Sequence, residues 1–194
     1  MPSGIIIKGV GGFYYVESDE GVFECKARGI FRKDGIIPLP GDRVCLTIID
    51  KDKKVGNIDR IMPRFSQLVR PSVANVEQVV AVISVKSPSA DFMLLDKLLA
   101  TAEYKELAAV ICINKIDLDA DDEHKKIIDI YSSAKYKVIA ASLKYGIGLD
   151  SLKEALRGKI SVLAGQSGVG KSTIINGIMN TGMMKTGELS AKIE

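Results

Sequence analysis

Nine residues, Gly165-Gln166-Ser167-Gly168-Val169-Gly170-Lys171-Ser172-Thr173, constrain this chain more than any other stretch, because they fit the pattern G-x-x-x-x-G-K-[ST] in full. Their surroundings also fit. Residues 160–164 read as a short buried strand, and Ile174, Ile175, Ile178 and Met179 recur at helical spacing after the loop. Glycines at these places let successive backbone N–H groups face one concave site at a helix N-terminus, the arrangement that holds α- and β-phosphates. Lys171 is expected to reach the β- and γ-phosphates and Ser172 to place its hydroxyl on Mg²⁺, with Thr173 completing the loop. A glycine-rich turn capped by Ser or Thr is the bland alternative, and the flanking strand and helix argue against it. The loop implies a nucleoside triphosphate.

The rest of the second half alternates in type. Residues 76–85 form a β-branched run of buried-strand character, and residues 91–105 place Leu94, Leu95, Leu98, Leu99 and Ala102 on one helical stripe. A strand over 107–113, a polar helix over 121–134, a strand over 136–141 and a helix over 149–156 follow. Such alternation predicts a parallel sheet with helices on both faces. His124, the single histidine, is expected to be solvent-exposed in its charged helix, since no second ligand stands at i+4.

The strand over 107–113 runs into Asn114-Lys115-Ile116-Asp117, which fits the N-K-x-D pattern of guanine recognition. A carboxylate accepts two hydrogen bonds at once, so Asp117 suits guanine N1–H and the exocyclic amine, a donor pair that adenine lacks. Lys115 can lay its stem along the base, and Asn114 can both accept from the base amide region and tie neighbouring loops. Ser142-Leu143-Lys144-Tyr145-Gly146-Ile147-Gly148 is similar to the S-A-K-x-G-x-G loop that offers a backbone N–H to guanine O6, with Leu143 in place of Ala. A plain glycine turn is the other reading of that loop. In this chain the base-reading residues precede the phosphate loop. A parallel sheet tolerates such reordering when the old termini lie close together, so the pattern is that of a circularly permuted GTPase.

Residues 1–66 differ in character. Short strands over 5–16, 22–32, 43–50 and 56–62 are separated by turn signals rich in Gly, Pro and Asp, which predicts a small closed barrel of the OB or SH3-like kind, with OB favoured. Residues 1–70 hold 12 Lys and Arg against 9 Asp and Glu, whereas residues 71–194 hold 15 of each, so the whole net charge of +3 is N-terminal. That excess hints at a polyanion, and Lys26, Arg28, Phe31, Arg32 and Lys33 are the candidates for RNA contact: cations for phosphates and an aromatic for stacking. Phe31 in the core and the charges on a solvated edge is the competing reading. Residues 62–71 have no period and divide an OB-fold domain, 1–66, from a GTPase domain, 67–194.

Cys25, Cys45 and Cys112 lie far apart without a C-x-x-C, so buried thiols in a reducing cytoplasm are expected, without disulfide or zinc site. No apolar run approaches the roughly 20 residues that span a bilayer, and no secretion signal opens the chain, so no membrane partner is expected.

Taken with Gly41-Asp42-Arg43-Val44 and the stretch Leu68-Val69-Arg70-Pro71-Ser72-Val73-Ala74-Asn75-Val76, these motifs resemble the RsgA (YjeQ) GTPases of small-subunit ribosome assembly over nearly the whole chain. The resemblance implies an OB-fold that contacts ribosomal RNA, GTP hydrolysis stimulated by the small ribosomal subunit, GTP/GDP and Mg²⁺ as ligands, and a monomer that acts late in maturation. No D-x-x-G segment and no switch Thr are recognisable before Glu194, and the family's zinc-binding C-terminal domain is not in the sequence either, so a truncated GTPase domain is expected. The catalytic water-positioning residue is therefore not assigned, and Lys171 is the one residue expected to stabilise transferred phosphate. A nucleotide-dependent RNA-binding module without hydrolysis and an ATP-using P-loop enzyme are the alternative functions.

Overall fold

A computed structural model describes residues 2–29, 31, 35–69 and 71–179. One compact unit runs to Asn75 and a second begins at Val76.

The first unit is a closed barrel. Its strands are β1 (Ser3–Val10), β2 (Phe13–Ser18), β3 (Gly21–Ala27), β4 (Arg43–Asp50) and β5 (Val55–Ile61), joined in the order β1-β2-β3-β5-β4, with β1 closing on β4. The β1–β2 connection is a two-residue hairpin in which Gly11 and Gly12 take φ of 59° and 85°, the left-handed pair that matches strand twist. Only the β3–β5 pair is parallel. Ile6, Val16, Phe23, Cys25, Val44, Leu46 and Ile58 point inward and fill the barrel, the alternation expected of strands with one wet face.

The sequence reading divides the domains at residues 66 and 67, but the contacts divide the units after Asn75. A short antiparallel pair, β6 (Gln67–Leu68) with β7 (Val73–Ala74), explains the difference because its flanks are fastened to the barrel. Arg64 donates from Nε and Nη2 to the two oxygens of buried Asp42 at 2.7 and 2.8 Å, and from Nη2 to the Ile37 carbonyl at 2.7 Å. Asn75 donates to the Gly41 carbonyl at 2.9 Å and accepts from the Phe65 N–H at 3.1 Å. Gly41 has φ 87°, and a Cβ there would stand 2.0 Å from the Ala74 carbonyl oxygen, so the close approach requires glycine.

The second unit is a four-stranded parallel sheet, ordered β10 (Lys137–Ala140), β9 (Ala108–Asn114), β8 (Gln78–Ser84), β11 (Ser161–Ala164). Alternate residues of the central strands feed opposite cores. Val80, Val82, Val110 and Cys112 pack with Leu152 and Leu156 of α3 (Leu149–Leu156) and with Ile174 and Ile178 of α4 (Lys171–Met179). Ala81, Ile83, Ile111 and Ile113 pack with Leu95 and Leu99 of α1 (Phe92–Tyr104) and with Ile127 and Tyr131 of α2 (Glu123–Ser133). Every residue of β8 is buried, as a strand covered on both faces must be. Asp91 starts α1 by accepting from the Leu94 N–H at 2.9 Å.

His124 is a correction to the sequence reading. Its side chain is 14% exposed, not solvated, because ring Nδ1 lies 2.7 Å from Asp119 Oδ2, which also accepts the His124 backbone N–H at 2.8 Å. Burial pushes the Asp119 carboxyl up, but these bonds outweigh it and hold the group below its usual value. The three cysteines are free and buried, and burial raises the Cys112 thiol to about 12. Among the described residues no helix is long and apolar enough to cross a membrane.

Candidate nucleotide-binding site

All four parallel strands point their carboxyl ends to one edge of the sheet, where loops of an open α/β sheet bind ligands. The loop after β11 is the glycine-rich one. Gly165 has φ 144°, and a Cβ there would lie 2.0 Å from the Val82 carbonyl oxygen, so the loop leaves the sheet tight against β8. Gly168 and Gly170 have φ of 84° and 98°. Val169 turns inward and is buried in the core, which pins the loop at its middle while Ser167 and Gly168 remain exposed. Lys171 opens α4 and folds back, donating from Nζ to the carbonyls of Gly165 and Gln166 at 2.7 and 2.8 Å. Partial burial holds its ammonium below the ordinary lysine value, so an anion in the loop would supply the countercharge it lacks. Ser172 and Thr173 follow in the first turn, both exposed.

The residues that close β9 reach this loop directly. Asn114, 3% exposed, donates from Nδ2 to the Val169 carbonyl at 2.9 Å. A Cβ at Gly170 would sit 2.4 Å from that same Nδ2, so glycine at 170 makes room for the asparagine. The buried Oδ1 of Asn114 has no hydrogen-bond partner among the described residues, an unsatisfied acceptor of the kind that marks a functional site. Lys115 takes a left-handed backbone, φ 60°, which turns its side chain across the loops. Its Nζ donates to the carbonyls of Gly168 at 2.7 Å and Ser87 at 2.5 Å. Ser87, in the loop after β8, is thus a site residue that side-chain reasoning missed, because it contributes only a carbonyl.

Asp117 lies exposed in a single 3₁₀ turn, Ile116–Leu118, with Oδ1 accepting from the Ser142 hydroxyl at 2.5 Å. Ser142 is wholly buried, so the carboxylate is oriented from below and keeps lone pairs free above. Ser142 and Ile147 exchange backbone hydrogen bonds at 3.0 and 2.9 Å, closing a tight loop. Gly148 ends it with φ 74°, at a place where a Cβ would meet the Ala140 carbonyl oxygen at 2.2 Å. Leu143 packs half-buried against the core shared by α3 and α4, and exposed Lys144 sets its Nζ 5.2 Å from the Tyr145 ring centroid. The structure therefore brings residues 114–117, 142–144 and 165–173 onto one edge of one sheet. Among the described residues no three His, Cys, Asp or Glu cluster around a metal site. A lone hydroxyl such as that of Ser172 fits a hard cation that takes the remainder of its shell from phosphate and water.

The candidate RNA residues of the barrel are not so assembled. Phe31 is 7% exposed and packs in the barrel core, so it offers no stacking surface, and its core reading stands. Arg28 pairs with Asp59 at 2.8 Å. Lys26 is exposed with Nζ 5.2 Å from the centroid of Phe13, an aromatic that is itself 36% exposed and went unnoticed in the sequence. Arg32 and Lys33 lie outside the described residues.

Comparison with known proteins agrees with this geometry. The sequence model of the RsgA GTPase matches residues 61–194, and that of the RsgA N-terminal domain matches residues 3–58. The chain is 58% identical over 196 residues to the small ribosomal subunit biogenesis GTPase RsgA of Ruminiclostridium cellulolyticum, covering 100% of this chain and 64% of that protein. It is 49% identical to the RsgA of Alkaliphilus metalliredigens, covering 100% and 66%. Among solved structures, YjeQ from Thermotoga maritima superposes with a TM-score of 0.83 at 36% identity, over 98% of this chain and 73% of that one. YloQ, described as a circularly permuted GTPase, superposes with a TM-score of 0.78 at 39% identity, over 94% and 66%. The chain thus spans about two thirds of the length of these curated relatives.

Proposed function

Because the chain belongs to the RsgA GTPase family, we propose that it is the nucleotide-binding and RNA-binding part of a GTPase that assists maturation of the small ribosomal subunit. The observation that carries the reading is the joining of base motif to phosphate loop: Asn114 holds Val169, and Lys115 holds Gly168. A polar strand end that merely met solvent has no reason to bury an asparagine against a glycine-rich loop.

Guanine is the base, read by Asp117 with the Leu143 backbone N–H on O6. The β- and γ-phosphates lie against Lys171 and the backbone N–H groups of residues 166–171. Ser172 would hold Mg²⁺, which when bound would neutralise charge on the phosphate oxygens. The chain's own groups bind and orient the triphosphate, and the residue that positions the attacking water belongs to the remaining third of the whole protein. Zinc, expected from the family resemblance, belongs there as well. The barrel contacts ribosomal RNA, and the whole protein works as a cytoplasmic monomer.

Phosphate release from GTP by the full-length protein, with and without small ribosomal subunits, tests the assignment. Turnover that rises with added subunits is expected. GTP binding without turnover in both conditions leaves the nucleotide-dependent RNA module as the function, and ATP turnover in place of GTP turnover removes the guanine assignment.

A further inference from the structure

The loop that faces the base rests on the helix that faces the phosphates, and it does so through one side chain. A Cβ built at Gly177, inside α4, would stand 3.5 Å from Leu143 Cδ2 and 3.8 Å from Leu149 Cδ1, so the two leucines cover the bare backbone of that glycine. Glycine inside a helix is costly relative to alanine, and here the missing side chain leaves a seat that Leu143 fills. Ile174, about one turn earlier, and the adjacent Ile178 are buried in the core to which Leu143 and Leu149 pack.

We infer that Leu143 is a positioning residue for base recognition: its side chain, seated on Gly177, holds its own backbone N–H in place for a 6-oxopurine. That N–H makes no hydrogen bond among the described residues, whereas the Ser142 and Ile147 N–H groups on either side are spent on closing the loop. The donor is thus available, and its direction depends on what anchors residue 143. Ser142 is anchored from one side by Asp117, and Leu143 is anchored from the other by α4. An ordered donor recognises a ligand without the entropy cost of immobilising the loop at the moment of binding. The same contact links the base loop to the helix that begins at Lys171, so the two halves of the nucleotide site share a rigid element.

The inference rests on the guanine reading, and the test separates the two. Affinities for GDP, ADP and inorganic pyrophosphate are measured by titration calorimetry on the 194-residue chain, with GDP release rates by stopped flow. Leu143→Ala is expected to weaken GDP about tenfold, mostly through faster release, while pyrophosphate, which needs only the phosphate loop, stays within about twofold of the parent. Leu143→Met, which refills the seat, restores GDP. Gly177→Leu, which occupies the seat with Leu143 intact, reproduces the loss. A Leu143→Ala chain that keeps GDP within about twofold, or that loses GDP and pyrophosphate in equal proportion, overturns the inference. A parent chain that binds ADP as well as GDP instead overturns the guanine reading.

Discussion

The Asn114 side chain donates to the main-chain carbonyl of Val169 at 2.9 Å, across 55 residues of sequence. That bond crosses from the end of β9 to the loop after β11, and β8 stands between the two strands in the sheet. It makes the base motif and the phosphate loop one object, although the chain writes them in the reverse of the usual GTPase order. Substitution by Ala leaves the buried Val169 carbonyl without its donor, at a cost of about 1–3 kcal/mol. Asn114→Ala is accordingly expected to lower GDP affinity by roughly ten- to a hundredfold together with the melting temperature. Unchanged melting and affinity, by calorimetry, would show that the bond is incidental.

Among the described residues Lys171 has no carboxylate partner, and its ammonium donates to two loop carbonyls. A phosphate anion is a stronger acceptor, so the ammonium is expected to exchange these carbonyls for β- and γ-oxygens on binding. Lys171→Ala removes a charge-assisted contact of about 1.5–3 kcal/mol, hence about ten- to a hundredfold in affinity. Tight GDP binding by that variant, measured by titration, contradicts the phosphate-loop assignment.

Arg64 and Asp42 fasten the β6–β7 segment to the barrel by a bidentate pair in which Asp42 has no exposure at all. Removing one partner leaves a buried charge uncompensated, which costs about 3–5 kcal/mol. Arg64→Ala is expected to destabilise the barrel unit by that order in urea unfolding, and Arg64→Lys to recover only part, since a lysine cannot bond both oxygens and the Ile37 carbonyl in one plane. An Arg64→Ala chain as stable as the parent would show that the pair does not hold the segment.

Lys26 and Phe13 form the cation-and-ring pair on the barrel that can serve RNA, in place of Phe31. Charge reversal at Lys26 with Phe13→Ala is expected to weaken binding of structured RNA and to flatten its salt dependence, since each lost phosphate contact lowers the slope of log affinity against log salt by about 0.7–0.9. Filter binding between roughly 50 and 200 mM salt measures both. RNA binding that ignores these changes places the contact elsewhere.

The parallel sheet and the loops at its carboxyl edge were legible because each rests on residue types at fixed spacing. Val80 and Val82 against Ala81 and Ile83 show the two-sided burial that a continuous apolar run announces. The barrel was legible as strands and turns but less so as a surface. Phe31 lies past the end of β3, where strand alternation no longer says which way a side chain points, and a register shift between Ile6 and Lys8 breaks the period in β1. The unit boundary after Asn75 depends on Arg64 finding Asp42 and on Asn75 finding Gly41, pairings between residues remote in sequence. His124 was misjudged for a similar reason, because an Asp five residues earlier turned back to meet it. The carbonyl of Ser87 and the seat at Gly177 are backbone features, and no residue type announces them.

Asp117, oriented by the Ser142 hydroxyl at 2.5 Å, is expected to read guanine. Asparagine at 117 replaces one acceptor by an NH₂ that faces the guanine donors, at about 1–3 kcal/mol for each opposed group, whereas xanthine offers a carbonyl where guanine has its amine. Competition titration of GTP, XTP and ATP against the parent chain and Asp117→Asn is the direct measurement. The parent is expected to prefer GTP, and Asp117→Asn to lose GTP by at least about tenfold while gaining XTP, with ATP weak in both. A variant that still prefers GTP over XTP, or a parent that binds ATP as well as GTP, would contradict it.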